Sequence, residues 1–151
     1  MKRKATLLLS IVASVILGMA PSVVLADELP CSLASLKGHY AIDRQGTVVA
    51  QLPGFPAPPA PLGEAALADL DGNGNLSALA TVNIGGLVLH LPVTGTYTVK
   101  PDCTGTATIN TGVGLILHNA IVVIDGGKRF IGTETDMFEI VQTRGEKLSA
   151  D

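Results

Sequence analysis

The residues of this 151-residue chain whose side chains are fit for chemistry are three histidines, a few charges set inside apolar runs, and one acidic loop. The histidines, His39, His90 and His118, are scattered. His90 has the parity of Val88, and His118 that of Ile116, Ala120 and Val122. If those faces line a closed sheet, both imidazoles reach the interior and meet a ligand or each other. No H-x-H or His-x-x-Glu spacing accompanies them. A zinc site needs three or four ligands and an outer shell to orient them, so no metal is expected, and each histidine is expected to be a hydrogen-bonded structural residue.

The charges form two groups. Asp43 and Arg44 interrupt one apolar run, and Arg129, Glu134, Asp136, Glu139 and Arg144 lie near the end of the chain. Exposed cross-strand pairing is the expected arrangement. The alternative is an Arg–Glu pair inside the fold. Buried charges must be paired, and such a pair would orient a carbonyl or carboxylate ligand, or act as acid and base in an isomerisation. The acidic loop runs Asp69-Leu70-Asp71-Gly72-Asn73-Gly74. It places Asp69, Asp71 and Asn73 at positions one, three and five of a calcium loop, with glycine at six. The twelfth position, where a bidentate Glu belongs, is Ala80. A hairpin turn built from turn-forming residues is therefore expected here.

Other chemistries lack their motifs. There is no nucleophile elbow, phosphate loop or dinucleotide fingerprint, so hydrolase, kinase and dehydrogenase activities have no support and no cofactor is expected. The aromatic residues are two Tyr and three Phe, with no Trp, too few for a ring-stacking sugar or nucleic-acid platform.

The elements that position these residues begin with a leader. Lys2, Arg3 and Lys4 precede an apolar stretch from Ala5 to Met19, and Pro21 and Val24-Leu25-Ala26 follow. These are the three parts of a secretory signal peptide, placing residues 1–26 as the leader and 27–151 as a single domain. An uncleaved anchor is the alternative, since residues 5–26 carry no charge and just reach across a bilayer. Ten basic residues less the three of the leader leave seven against thirteen acidic ones, a net charge of −6. That balance opposes nucleic acid and anionic membranes as partners. The leader predicts export, to the periplasm or beyond. In that compartment the two cysteines, Cys31 and Cys103, are expected to pair.

The remaining chain is a series of short β-branched runs punctuated by Gly, Asn and Asp, the pattern of an all-β protein. Eight strands are predicted, over 39–51, 63–70, 76–84, 87–99, 105–111, 115–125, 128–135 and 137–144, with a short helical turn over 32–37. The fourth is expected to bend at Pro92 or Gly95. Successive hairpins make antiparallel neighbours, and eight of them close into an up-and-down barrel, which leaves no exposed edge. A two-sheet sandwich is the alternative. The runs 87–93 and 115–124 are apolar on both faces, where a half-solvated strand alternates. Their outer rows predict contact with a second copy of the chain. An outer-membrane barrel would need aromatic girdles, so no stable membrane insertion is expected. Residues 52–62, LPGFPAPPAPL, hold five prolines and read as a stiff spacer, or as a lid that places Phe55 and Leu62 over the barrel mouth.

Gly38 and Tyr40, the DGNGN hairpin and the run GTYTV-x-x-DCTGT around Cys103 together resemble small secreted bacterial proteins of unassigned role. The fold of that group is similar to the allene oxide cyclase and dirigent barrels, within the wider calycin-like group. The resemblance spans about Cys31 to Arg144 and implies the barrel. None of the cyclases' catalytic residues matches a position here, so it implies no activity. The expected function is a non-enzymatic, disulfide-stapled barrel that binds a small hydrophobic ligand or serves as a structural module. Tyr40, His90, Tyr97, His118 and Glu139 are the isolated polar groups expected to orient a ligand. The alternative is a cyclase or isomerase folding an apolar substrate in the barrel. It requires a cavity and an acid or base of displaced pKa facing it.

Overall fold

The structure, a computed structural model, describes residues 30–148. The predicted leader lies outside the described residues. Eight strands follow a short 3-10 turn, η1 (Leu33–Leu36): β1 (Gly38–Val48), β2 (Ala60–Leu70), β3 (Asn75–Ile84), β4 (Leu87–Val99), β5 (Thr104–Asn110), β6 (Ile116–Ile124), β7 (Arg129–Glu134) and β8 (Glu139–Lys147). Each pairs antiparallel with the next, and β8 pairs with β1, from Tyr40↔Lys147 to Val48↔Glu139. The sheet is a closed up-and-down barrel, as predicted, and the sandwich is excluded. Closure pairs every strand on both sides and removes the edges on which chains aggregate.

The turns are where the residue types require them. Ile84 and Leu87 are joined by Gly85 and Gly86, with φ of 56° and 96°, the positive values that a two-residue hairpin demands at both positions. The strand β4 runs unbroken for 13 residues through Pro92 and Gly95. It pairs with β3 over Leu87–Thr96 and with β5 over Thr94–Val99.

Inward and outward residues alternate strictly. Tyr40, Ile42, Arg44 and Val48 face the lumen from β1, and His39, Ala41, Asp43 and Gln45 face out. Two apolar clusters fill the barrel. At one end Leu36 of η1 packs with Tyr40, Leu70, Tyr97, Ile121 and Phe130. At the other, Val48, Leu62, Val82, Ile84, Val93 and Val141 pack together, with Phe55 of the proline-rich segment against them. Leu36 is fully buried and plugs its end. Burying such a side chain contributes about 2 kcal/mol. Cys31 and Cys103 are joined, with Cα atoms 5.0 Å apart, so the bond ties η1 to the turn between β4 and β5. No helix among the described residues is long and apolar enough to cross a membrane.

Candidate functional site

Midway along the lumen, between the two apolar clusters, lies a buried ionic group. The residues Arg44 and Glu64 are directly opposite on β1 and β2. Their parity is that of Tyr40 and Val48 on one strand and Leu62 and Leu70 on the other, so both side chains point inward. The guanidinium fans across the barrel. Its Nη1 donates to Glu64 Oε2 at 2.7 Å, and its Nη2 donates to Glu139 Oε1 at 2.7 Å and to Glu134 Oε2 at 3.2 Å. The side chains of Glu134 and Glu139 are 0% and 3% exposed, and those of Arg44 and Glu64 are each 10% exposed. Here the lumenal pair is correct and the expected exposed cross-strand arrangement is overturned. Asp43 and Arg144, opposite one another on the outer surface of β1 and β8, keep that exposed register, as do Arg129 and Glu146 on β7 and β8.

One guanidinium thus faces three carboxyls, and the electrostatics follow. Burial works against the Arg44 charge, but Glu64, Glu139 and Glu134 outweigh it and its pKa is raised. Burial, the hydrogen bond with Asp136 and the neighbouring charge of Glu139 push Glu134 up to about 8, against the pull of Arg44. Burial acts to raise Asp136 as well, but hydrogen bonds with Glu134 and His118 outweigh it and its pKa is lowered. The proton of this carboxyl pair therefore sits on Glu134. Further support comes from Asn119, whose Nδ2 donates to Glu134 Oε2 at 3.1 Å, and from Thr143, whose hydroxyl donates to Asn119 Oδ1 at 3.3 Å. The His118 backbone N–H lies between Glu134 Oε1, at 2.8 Å, and Asp136 Oδ2, at 2.7 Å. The Arg44 Nε is buried without a hydrogen-bond partner among the described residues.

Two cavities flank the ionic group. One, of about 90 Å³, lies towards η1 and is framed by small side chains, Ala66, Ala68, Ala78 and Ala107, with Leu36 and Tyr97 beyond. The other, of about 50 Å³, lies towards the proline-rich segment, where Phe55 and Leu62 are part of its wall. Both are lined by Arg44 and Glu64, and the second also by Glu139. The space exists because alanines replace the Leu, Val and Ile that would fill a barrel of this size. Proline-rich residues 52–62 thus do more than space two strands, because Phe55 walls the second cavity.

The predicted ligand-orienting residues part into two sets. Tyr40, Tyr97 and Glu139 are inside. Tyr40 donates its hydroxyl to the Gly127 carbonyl and packs against Phe130 in a tilted arrangement, with ring centroids 5.6 Å apart. Burial, with Tyr97 nearby, raises its pKa to about 12. The Tyr97 hydroxyl accepts from Gly72 N–H at 2.9 Å and donates to the Leu33 carbonyl at 3.3 Å, tying η1 to the β2–β3 turn. His90 and His118 are on the outer surface and do not face the lumen. The condition under which they would meet is not fulfilled, because Leu89, Leu91, Leu117 and Asn119 occupy the inward parity. Thr81 Oγ1 is 3.0 Å from His90 Nδ1, and Asp136 Oδ1 is 3.1 Å from His118 Nδ1.

The acidic loop is a turn. Asp71 Oδ1 accepts from the backbone N–H of Asn73 at 2.7 Å and of Asn75 at 3.0 Å, and its Oδ2 accepts from Asn75 Nδ2 at 2.7 Å. Those hydrogen bonds hold its pKa down to about 2. Asp69 faces out, 3.7 Å from His39. Among the described residues no group of three or more His, Cys, Asp or Glu is placed to hold a metal ion.

Sequence reasoning missed Glu64 altogether and misplaced Arg44 and Glu134. The signal was parity: Arg44 alternates in step with Tyr40, Ile42 and Val48, and Glu64 with Leu62 and Leu70. No known family model, curated protein or solved structure matches the chain.

Proposed function

We propose that this protein is an exported, non-enzymatic barrel that binds a small, mainly apolar molecule in its lumen. The alanine-framed cavity of about 90 Å³ beside Arg44 and Glu64 carries this reading. A binding site combines an apolar wall with a few polar groups that fix orientation, and this cavity has both. Its size limits the ligand. An apolar cavity of about 150 Å³ accepts benzene or xenon, so the occupant here is a molecule of a few heavy atoms. The disulfide fits an oxidising compartment outside the cytoplasm. The closed eight-stranded barrel is the architecture expected of the small secreted proteins that the chain resembles, and we place it with them.

The cyclase or isomerase alternative draws on the raised pKa of Glu134. That carboxyl lines neither cavity, so its proton does not face a molecule in the lumen, and binding is the better reading. The exposed outer row Leu67, Leu79 and Pro92 on β2, β3 and β4, with Leu79 at 73% exposure, supports a contact between copies of the chain.

Native mass spectrometry of the protein purified gently from its source tests the binding function. A small adduct that is lost on denaturation is the expected result. A bare polypeptide mass, together with no xenon-induced shift of the Ala66, Ala68 or Ala78 methyl resonances, would overturn it. The same spectrum gives the subunit count.

A further inference from the structure

We infer that the lumenal ligand is a short-chain primary amine, bound as its ammonium ion against Glu64 and Glu139. This rests on the binding function proposed above and names the chemical class of the ligand.

The argument begins with charge. Arg44 is the one cation in the group, and it faces Glu64, Glu134 and Glu139. Three carboxyls share this one guanidinium, more acidic groups than a single cation pairs. A buried excess charge is costly unless something pairs it. An anionic ligand would add to the excess, so a carboxylate head group is excluded despite the arginine. A cation removes it.

The geometry agrees. Glu64 uses Oε2 on Arg44, and Glu139 uses Oε1. The other oxygen of Glu64 makes no hydrogen bond to protein among the described residues, and the Glu139 carboxyl also meets that of Glu134. Both carboxylates line the cavity on the Phe55 side, and Glu64 also lines the larger one. An ammonium has three donors and no acceptor, which suits the free oxygen of Glu64 with the Glu139 carboxyl beside it. The walls beyond, Leu62, Val82, Ile84, Leu89 and Leu91, are apolar and take a short alkyl tail. Cavities of about 90 and 50 Å³ leave no room for a long chain or a ring system.

The test uses the full chain with Cys31–Cys103 oxidised, and three three-carbon probes: propylammonium, 1-propanol and propionate. Each is titrated at pH 7 and low salt while the lumenal methyls of Ala66, Ala68, Ala78 and Ala80 are followed by NMR, with xenon as an apolar control. Propylammonium is expected to move those methyls and to bind about ten-fold or more tightly than either other probe, as a charge-assisted hydrogen bond implies. Glu139→Gln is expected to lose about ten-fold in propylammonium affinity while xenon shifts persist; Glu64→Gln is the second variant should the first not fold. Equal or tighter binding of propanol or propionate overturns the amine and leaves the lumen as a binding site. Xenon shifts with no response to propylammonium do the same. Silence from all four probes overturns both the amine and the binding function.

Discussion

Arg44 and Glu64 are register partners on adjacent strands, and their side chains meet inside the barrel with Nη1 2.7 Å from Oε2. A directly opposed pair that usually lies on a wet sheet face here spans a closed lumen, and Glu134 and Glu139 complete its surroundings. Breaking such a group is much worse than never having built it, since removing one partner strands the others. Arg44→Met is expected to lower stability by about 3–5 kcal/mol at neutral pH. The loss should shrink in acid, where the stranded carboxyls protonate. Urea denaturation of both proteins at pH 7 and pH 4 checks this, and a pH-independent loss would contradict it.

The pH dependence of folding should have two limbs. Glu134 is raised from its ordinary 4.5 to about 8, so the folded state holds a proton that the unfolded chain has released. Its contribution is complete below pH 4.5 and is lost as pH rises through about 8. Asp71 behaves oppositely. Its pKa is lowered from 3.8 to about 2, so its contribution is present above 3.8 and is lost as pH falls through about 2. Asp102 is lowered by its hydrogen bonds to Thr104 and adds to the acid limb. Stability should therefore peak near pH 4 to 5, roughly between the two windows, and Glu134→Gln should flatten the alkaline limb. An unchanged slope between pH 5 and 8 in that variant would show that Glu134 is not its source.

The disulfide closes a loop with a sequence separation of 72 residues. By chain entropy that contributes about 4 kcal/mol. Reduction, or the double change Cys31→Ser with Cys103→Ser, should lower the denaturation midpoint by a corresponding amount. It should also loosen η1, which carries the Leu36 plug, so amide exchange at Leu36 and at Tyr97 should accelerate more than at Val48 in the opposite cluster. Uniform acceleration would argue against a local role for the bond.

Tyr40 and Gly127 hold the same end of the barrel. The hydroxyl is a buried donor to the Gly127 carbonyl. Tyr40→Phe should cost about 1–3 kcal/mol because it leaves that carbonyl unpaired. Gly127 has φ of 89°, and a Cβ there would run into the Ser35 backbone of η1. Gly127→Ala is therefore expected to be the more damaging of the two. Thermal denaturation of both variants settles the order.

Much of the fold was legible from local signals. Short β-branched runs set strand identity, and Gly, Asn and Asp marked the turns, so the eight strands of the barrel agree with their predicted positions within a few residues. The turn after β4 was visible in GTYTVKPDCTGT: Lys100 N–H bonds to the Thr104 carbonyl across it, and Cys103 has φ of 66°. The pairing of Cys31 with Cys103 followed from the expected compartment and from number, and Tyr40 and Tyr97, two of the candidate ligand-orienting residues, are inside, whereas the sequence allows Glu139 both as such a candidate and as one of an exposed set of charges. The proline-rich run announced its stiffness, but only the folded chain put Phe55 against the second cavity.

What sequence alone determined was a property of neighbours: β-branched runs, turn chemistry, cysteine count, a few basic residues before an apolar stretch. Those follow from covalent geometry and act over a few residues. The ionic group was decided by closure. Arg44, Glu64, Glu134 and Glu139 lie on four different strands, and nothing within any one of them says that the charges share a lumen. The pairing of β8 with β1 brings the two ends of the sheet together and sets Glu139 within reach of Arg44. Closure also decides which row of each strand faces in. Strands apolar on both rows, such as β4 and β6, left the inward parity open, and so His90 and His118 were as compatible with the lumen as with the surface. The low-dielectric interior created by closure then turns ordinary carboxyls into coupled ones, which no inventory of residues along the chain contains.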